Sequence, residues 1–425
     1  PWLTALSAEA SDMSGWLLMG LPGVAYFTGA SDAMWTAIGL AIGTYLNWKF
    51  VAKRLRKYSV VAGDSITLPE FYSKRFHDRK NIVSTVDALI IMVFFCVYVG
   101  SCFVTCGKLF ATLFGLDYAT MMVLGAIIVF LYTLVGGYLS VVTTDFVQGV
   151  LMFFALATVF VGSVAWAGGV DNTVAFLQNI PGFLSGTQIA VPLVDDAGRQ
   201  LVENGTPLFG DAAEYPLITI ASMLAWGLGY FGMPHILLRF MGIQDPKKLK
   251  VSRRVGSIWV VIAMFIAILI GVLGLTMVHA GNLEGVADSE RILIAMATKL
   301  SSFGILPALL AGVVMAGILA CTMSTCDSQM LAASSSVSEN IIKGVFGLKV
   351  SEKGSMLIAR ITLIVISVIG VIMARDPDSS VFQIVSFAWA GFGGAFGAVV
   401  LCALFWKRCN WQGALAGMLS GGLMV

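Results

Sequence analysis

Charge is what this 425-residue sequence has least of: only 12% of its residues are Asp, Glu, Lys or Arg, where about 25% is usual for a water-soluble chain. Together with 58% hydrophobic residues, that scarcity excludes an ordinary soluble domain and describes a membrane protein. A nucleic-acid-binding or acidic tail is excluded too, because 26 basic and 24 acidic residues leave a formal net charge of +2. Histidine is rare, with His77, His235 and His279 alone. None belongs to a His-Glu-x-x-His helix or joins a cysteine cluster, so an intramembrane hydrolase and a soft or imidazole metal centre lack their residues. The seven cysteines lie within or at the ends of apolar stretches without Cys-x-x-Cys spacing, and read as packing residues. No phosphate-binding glycine loop is present to serve an ATP-driven pump. Alternating apolar and polar residues, the mark of a membrane β-barrel strand, do not recur.

What the sequence has in abundance is long apolar stretches. They fall near residues 3–29, 33–50, 82–113, 118–140, 143–168, 215–237, 255–280, 305–340, 355–374, 382–406 and 411–425. Each suits a helix, since roughly 20 apolar residues cross the hydrocarbon layer and an α-helix satisfies its own backbone there. An all-α polytopic bundle is therefore expected, with the lipid bilayer as its solvent. Residues 51–81, 238–254, 341–354 and 407–410 hold 19 of the 26 basic residues. By the positive-inside rule these loops are cytoplasmic, the loop at 169–214 is external, and the Pro1 end lies on the cytoplasmic side of the cell membrane. Because the sequence opens at Pro1 inside an apolar stretch, there is no signal peptide to assign, and its true ends are expected to lie beyond it.

Smaller features carry modest expectations. Lys53, Arg54, Arg56 and Lys57 read as orientation signals, Asn204-Gly205-Thr206 as a turn that also matches a glycosylation sequon, and "RILIAMATKLSS" from Arg291 as an amphipathic helix lying on the external surface.

Two stretches are not simple spans. In "WLTALSAEASDMSGWLLMGLPG" the residues Ser7, Glu9, Ser11, Asp12, Ser14 and Gly15 sit at the middle of the first. An Asp at that depth costs about 2.5–3.5 kcal/mol on insertion scales, so Asp12 must face protein or a water-filled cavity. In the sixth, "SMLAWGLGYFGMPH" crowds Gly227, Gly229, Gly232 and Pro234, which permit unwinding or a kink. Five spans apart, these helices cross in opposite directions. That predicts two inverted five-helix halves, 1–168 and 215–406, with 411–425 as an additional helix, and a binding site at the midplane where the paired helices break. Broken helices leave carbonyls without intrahelical partners and half-helix ends with partial charge, both able to hold ions.

The eighth stretch, "ILACTMSTCDSQMLAASSSVSEN", carries Thr322, Ser324, Thr325, Asp327 and Ser328 after a wholly apolar half. Ser324 and Ser328, four apart, share a face. Hydroxyls and free carbonyls suit a hard alkali cation; the same hydroxyls could equally bond back to carbonyls one turn earlier, and the residues alone leave both readings open.

These residues amount to a family resemblance. "SAEASDMSGWLLMGLPG" at 7–23, Gly136-Gly137 followed by Thr144-Asp145 and Gln148, "WGLGYFGMPHILLRFM" from Trp226, Met323-Ser324-Thr325 and "AWAGFGGAFG" from Ala388 resemble the sodium:solute symporter family, in particular its sodium/proline symporters, over essentially the whole chain. The resemblance implies a LeuT-like inverted five-plus-five fold, usually with one further helix before the first span here and more chain after the last. It implies inward symport of L-proline with sodium as coupling ion and no other cofactor. Sodium would be held by the carbonyls of Ala10, Met13 and Cys321 and the hydroxyls of Ser324 and Thr325, with Asp12 nearby. Proline would use Ser14, Gly15, Tyr98, Trp226, Tyr230 and Pro234, its ring and secondary ammonium against an aromatic wall.

Two departures stand out. Cys321 replaces an expected small alanine, which a main-chain ligand tolerates. Asp327 replaces a small neutral residue. Related sialic acid transporters use the aspartate matching Asp145 with hydroxyls of the eighth span for a second sodium, so Asp145, Ser324, Asp327 and Ser328 are candidates for a second cation. The plainer reading makes Thr144-Asp145 a helix N-cap at the cytoplasmic surface and Asp327 the partner of a Lys or Arg. Carriage of a different small solute, or solute sensing on the same fold, are the competing functions.

Overall fold

The computed structural model of the chain describes residues 1–425 apart from 197, 204 and 346–349, and apart from the side chains of 343–345. Asn204 of the sequon therefore lies outside the described residues. Eight helices among the described residues are long and apolar enough to cross a membrane: Ile82–Phe114, Tyr118–Val135, Tyr138–Trp166, Leu217–Gly242, Pro246–His279, Ile305–Ile342, Glu352–Met373 and Val381–Phe405. The other three predicted spans are helical as well. The first runs through Trp2–Gly15, a π-helical turn at Trp16–Gly20, and Leu21–Thr28. The second is Ala30–Leu46 continued by Asn47–Val51 and Ala52–Val61, and the eleventh is Trp411–Leu423.

Both predicted interruptions are present. The first span breaks at Ser14, whose φ of 46° and ψ of −168° are far from helical. The sixth divides into Leu217–Leu224, Trp226–Gly229 and Pro234–Gly242. Pro234 opens its last piece, where a missing N–H costs nothing. Glycine is required there by close approach: a Cβ on Gly227 would stand 2.1 Å from the Gly39 carbonyl oxygen of the second span, and one on Gly232 2.2 Å from the Phe392 carbonyl oxygen of the tenth.

The first span is the axis of the bundle, buried from Ala5 to Pro22 and packed against the fifth, seventh and eighth spans. The segment between the fifth and sixth spans covers one end with a short helix, Val170–Leu177, and two small antiparallel pairings, Gln188–Ile189 with Ala213–Glu214 and Val202–Glu203 with Thr206–Pro207. It is strapped to the second span by hydrogen bonds from Ser31 to the Gln188 carbonyl and from Tyr215 to Asp32.

Two expectations are corrected. The segment from Arg291 does form a helix, Ile292–Ser301, but Ile292, Leu293, Ile294, Met296, Ala297 and Leu300 are buried; it packs against the eighth span rather than lying on a surface. Thr144-Asp145 is not a helix start. That helix begins at Tyr138 after Gly137, Thr144 bonds back to the Ser140 and Val141 carbonyls, and Asp145 is fully buried.

Candidate cation and substrate site

At the break in the first span the Ser14 amide turns away from its helical partner and donates to Thr325 Oγ1 at 3.0 Å. This frees the Ala10 carbonyl, which receives instead the Ser324 hydroxyl at 2.8 Å and, at 3.5 Å, that of Thr325. Ser324 also reaches the Cys321 carbonyl at 3.1 Å. Ala10, Cys321, Ser324 and Thr325 thus converge as a cluster of neutral oxygens with no water contact, the donor type a hard monovalent cation takes. Thr322 makes the alternative bond, back to Ile318. The Met13 carbonyl is engaged by the Trp16 amide and makes no hydrogen bond to this cluster among the described residues.

Asp12 lies one turn away with both carboxylate oxygens buried and without a hydrogen bond of ordinary geometry. His235 Nε2 stands 3.8 Å from Oδ1. A buried carboxylate lacking a full partner is costly, and Asp12 stands beside the oxygen cluster with both carboxylate oxygens uncommitted. Glu9, one turn earlier, is held by Trp48 Nε1 at 2.8 Å and the Tyr230 hydroxyl at 3.4 Å.

On the other side of the break is an aromatic enclosure. The Tyr98 hydroxyl donates to the Asp12 carbonyl at 2.9 Å, lies 3.5 Å from Ser14 Oγ, and accepts from Trp389 Nε1 at 3.2 Å. Trp226 faces Trp16, Phe382 and Trp389 with ring centroids at 5.4, 5.2 and 5.8 Å, and Tyr230 meets Trp389 edge-on at 5.1 Å. Ser14, Tyr98, Trp226 and Tyr230 are thereby brought together. Gly15 is close by in a packing role, since a Cβ there would stand 2.2 Å from Thr105 Oγ1. Pro234 is buried at the start of the last piece of the sixth span. Trp16, Phe382 and Trp389 were not expected; Phe382 and Trp389, seven residues apart, share a helix face, which is a signal the sequence did contain.

Asp145 and Ser328 meet around a cation supplied by the chain itself. Arg239, 3% exposed, places Nη2 3.0 Å from Asp145 Oδ2 and 2.5 Å from Ser328 Oγ. Its Nε donates to Ser7 at 3.3 Å and Nη1 to the His235 carbonyl at 2.8 Å. Ser7 donates to Asp145 at 2.7 Å, and Ser328 to Asp327 at 3.3 Å. Ser324 belongs to the other cluster. Arg239, counted above among the basic loop residues, is part of the interior.

The sodium:solute symporter family profile matches residues 1–421. The chain is 41% identical over its whole length to the osmoregulated proline transporter OpuE of Bacillus subtilis (strain 168), covering 80% of it. It is 40% identical, again over its whole length, to sodium/proline symporter 2 of Staphylococcus saprophyticus, covering 78% of that protein. Among solved structures, a substrate-bound, outward-open Na+-coupled sialic acid symporter matches all of this chain and 89% of its own, with a TM-score of 0.74 at 17% identity. That likeness fixes the fold as the inverted five-plus-five arrangement; the profile and the full-length relatives establish that the chain belongs to the sodium:solute symporter family.

Proposed function

We propose that this protein is a secondary active symporter that couples inward sodium flow to uptake of L-proline by alternating access. The carrying observation is the freed Ala10 carbonyl, met by hydroxyls of the eighth span at the break of the first. Sodium, a transported ion here, would lie among the Ala10 and Cys321 carbonyls and the Ser324 and Thr325 hydroxyls, completed by Met13 if its carbonyl turns from Trp16. Asp12 supplies the balancing charge. Proline would stack its ring and ammonium in the enclosure of Trp16, Trp226, Tyr230 and Trp389, with its carboxylate toward the half-helix start at Ser14 and Gly15 and Tyr98 bridging the two sites. Full-length relatives named as proline carriers support the choice of solute.

The same reading divides the chain into halves at 1–168 and 215–406 with 411–425 added, and sets Pro1 and the basic loops on the cytoplasmic side of the cell membrane, on the strength of charge distribution. Purified protein in liposomes, given a panel of labelled amino acids and sugars with and without an inward sodium gradient, tests carrier, solute and ion together. Sodium-dependent accumulation of proline is expected. Preference for another solute replaces proline, and uptake indifferent to sodium removes the coupling.

A further inference from the structure

Beside Tyr45 of the second span, the basic end of the seventh carries a lipid-facing groove of about 490 Å³ lined by Tyr45, Arg253, Arg254, Ser257, Ile258 and Val261. Its floor is apolar and open to the side, with Ile258 60% and Val261 50% exposed. Its end is cationic. The Arg253 guanidinium lies over the Tyr45 ring at 5.3 Å, and Lys49 Nζ over the same ring at 5.4 Å and over Phe50 at 5.0 Å. Lys49, Arg253 and Arg254 form no ion pair among the described residues. Arg253 Nε and Ser257 Oγ, one helical turn apart, are buried polar atoms without a hydrogen-bond partner.

We infer that this groove binds one anionic phospholipid, its phosphate against Lys49, Arg253 and Arg254 and its acyl chain along Ile258 and Val261. The charge complementarity is one-sided: Arg253 and Arg254 line the basic end of the groove and Lys49 lies over the same Tyr45 ring as Arg253, a cationic end beside an apolar floor that suits a lipid phosphate. The apolar floor selects a lipid over a soluble phosphate, because arginines four and seven or eight residues ahead of Ile258 and Val261 stand on the same helix stripe, so one amphipathic molecule spans both parts. Lys53, Arg54 and Lys57, by contrast, are not among the residues that line this groove.

Native mass spectrometry of the whole purified protein, delipidated in detergent and titrated with phosphatidylglycerol or phosphatidylcholine, tests this. Wild type should retain one phosphatidylglycerol in preference to phosphatidylcholine. Arg253→Gln with Arg254→Gln should weaken retention about 30-fold, about 1 kcal/mol per charge near the surface converted at about 1.4 kcal/mol per tenfold, whereas Lys53→Gln with Lys57→Gln should leave it unchanged. If the double variant does not fold, as judged by thermal unfolding, Lys49→Gln alone carries the test, with about fivefold weakening. Equal retention of phosphatidylcholine, unchanged retention in both sets of variants, or displacement of the lipid by millimolar inorganic phosphate overturns the assignment.

Discussion

Sodium affinity should turn on a few oxygens around Ala10. Each hydroxyl removed there takes away an interaction with a charged partner, about 1.5–3 kcal/mol, so Ser324→Ala or Thr325→Ala should raise the half-saturating sodium concentration of uptake about 10- to 100-fold. Asp12→Asn should act in the same direction by removing the nearby charge. Protein abundance, followed by immunoblot, should change far less; an unaltered sodium dependence removes these residues from the cation site. In the enclosure, Trp389→Ala and Trp226→Ala should each raise the half-saturating proline concentration by up to about 30-fold, the worth of a desolvated cation–π contact of about 2 kcal/mol, while sodium binding measured without proline persists. Loss of folded protein would instead assign these rings to packing. Asp12, Ser324 and Thr325 were legible in the sequence because a polar residue at bilayer depth is conspicuous against an apolar helix. Trp16 was not, and the spacing of Phe382 and Trp389 marks only a shared face, because an aromatic residue in an apolar helix is compatible with any buried neighbour, and only the crossing of the first, sixth and tenth spans decides which rings meet.

Among the elements, the glycines and Pro234 announced the break of the sixth span through their backbone chemistry, and the polar run announced that of the first, although nothing local singles out Ser14 as the residue with positive φ. Thr144-Asp145 misled because a hydroxyl followed by a carboxylate has the composition of an N-cap; the true start is set by Gly136 and Gly137, and the Asp is drawn inward by an arginine 94 residues away in sequence. The turn at Ser289–Arg291 shows the same long-range dependence. Glu290 accepts from the Ser380 hydroxyl and from the Val381 and Phe382 amides at 2.9–3.0 Å, capping the tenth span, while Lys108 of the third span reaches it at 2.7 Å. Lys108 is buried, so Lys108→Met leaves a carboxylate without its cation in the interior and should cost about 3–5 kcal/mol, seen as a lower melting temperature of the purified protein. Adding Glu290→Gln should recover part of that loss, since it removes the stranded charge while keeping an acceptor for the amides. A double variant less stable than the sum of the two single changes would contradict that ionic account.

For the whole molecule, the number of charges moved per cycle follows from how the interior is already neutralised. Proline is a zwitterion, so one sodium carries one positive charge inward, and about 2.3 kcal/mol per charge per 100 mV, at 1.36 kcal/mol per decade, corresponds to about 50-fold accumulation from the potential alone. Two sodium ions would square that factor. The residues that could hold the second ion, Asp145 and Ser328, already face the guanidinium of Arg239, and Asp327 reaches the same group through Ser328; a second cation there would have to displace an arginine held by four buried oxygens or share its charge at close range. Transport should therefore be electrogenic with a single charge per proline. In liposomes clamped at a fixed potential and fixed sodium gradient, the accumulation plateau should match one charge, and Asp327→Ser should leave the sodium concentration dependence unchanged. A plateau at the squared value, falling to the single-charge level in Asp145→Asn, would establish instead that Arg239 swings aside during the cycle and yields its place to a second sodium ion.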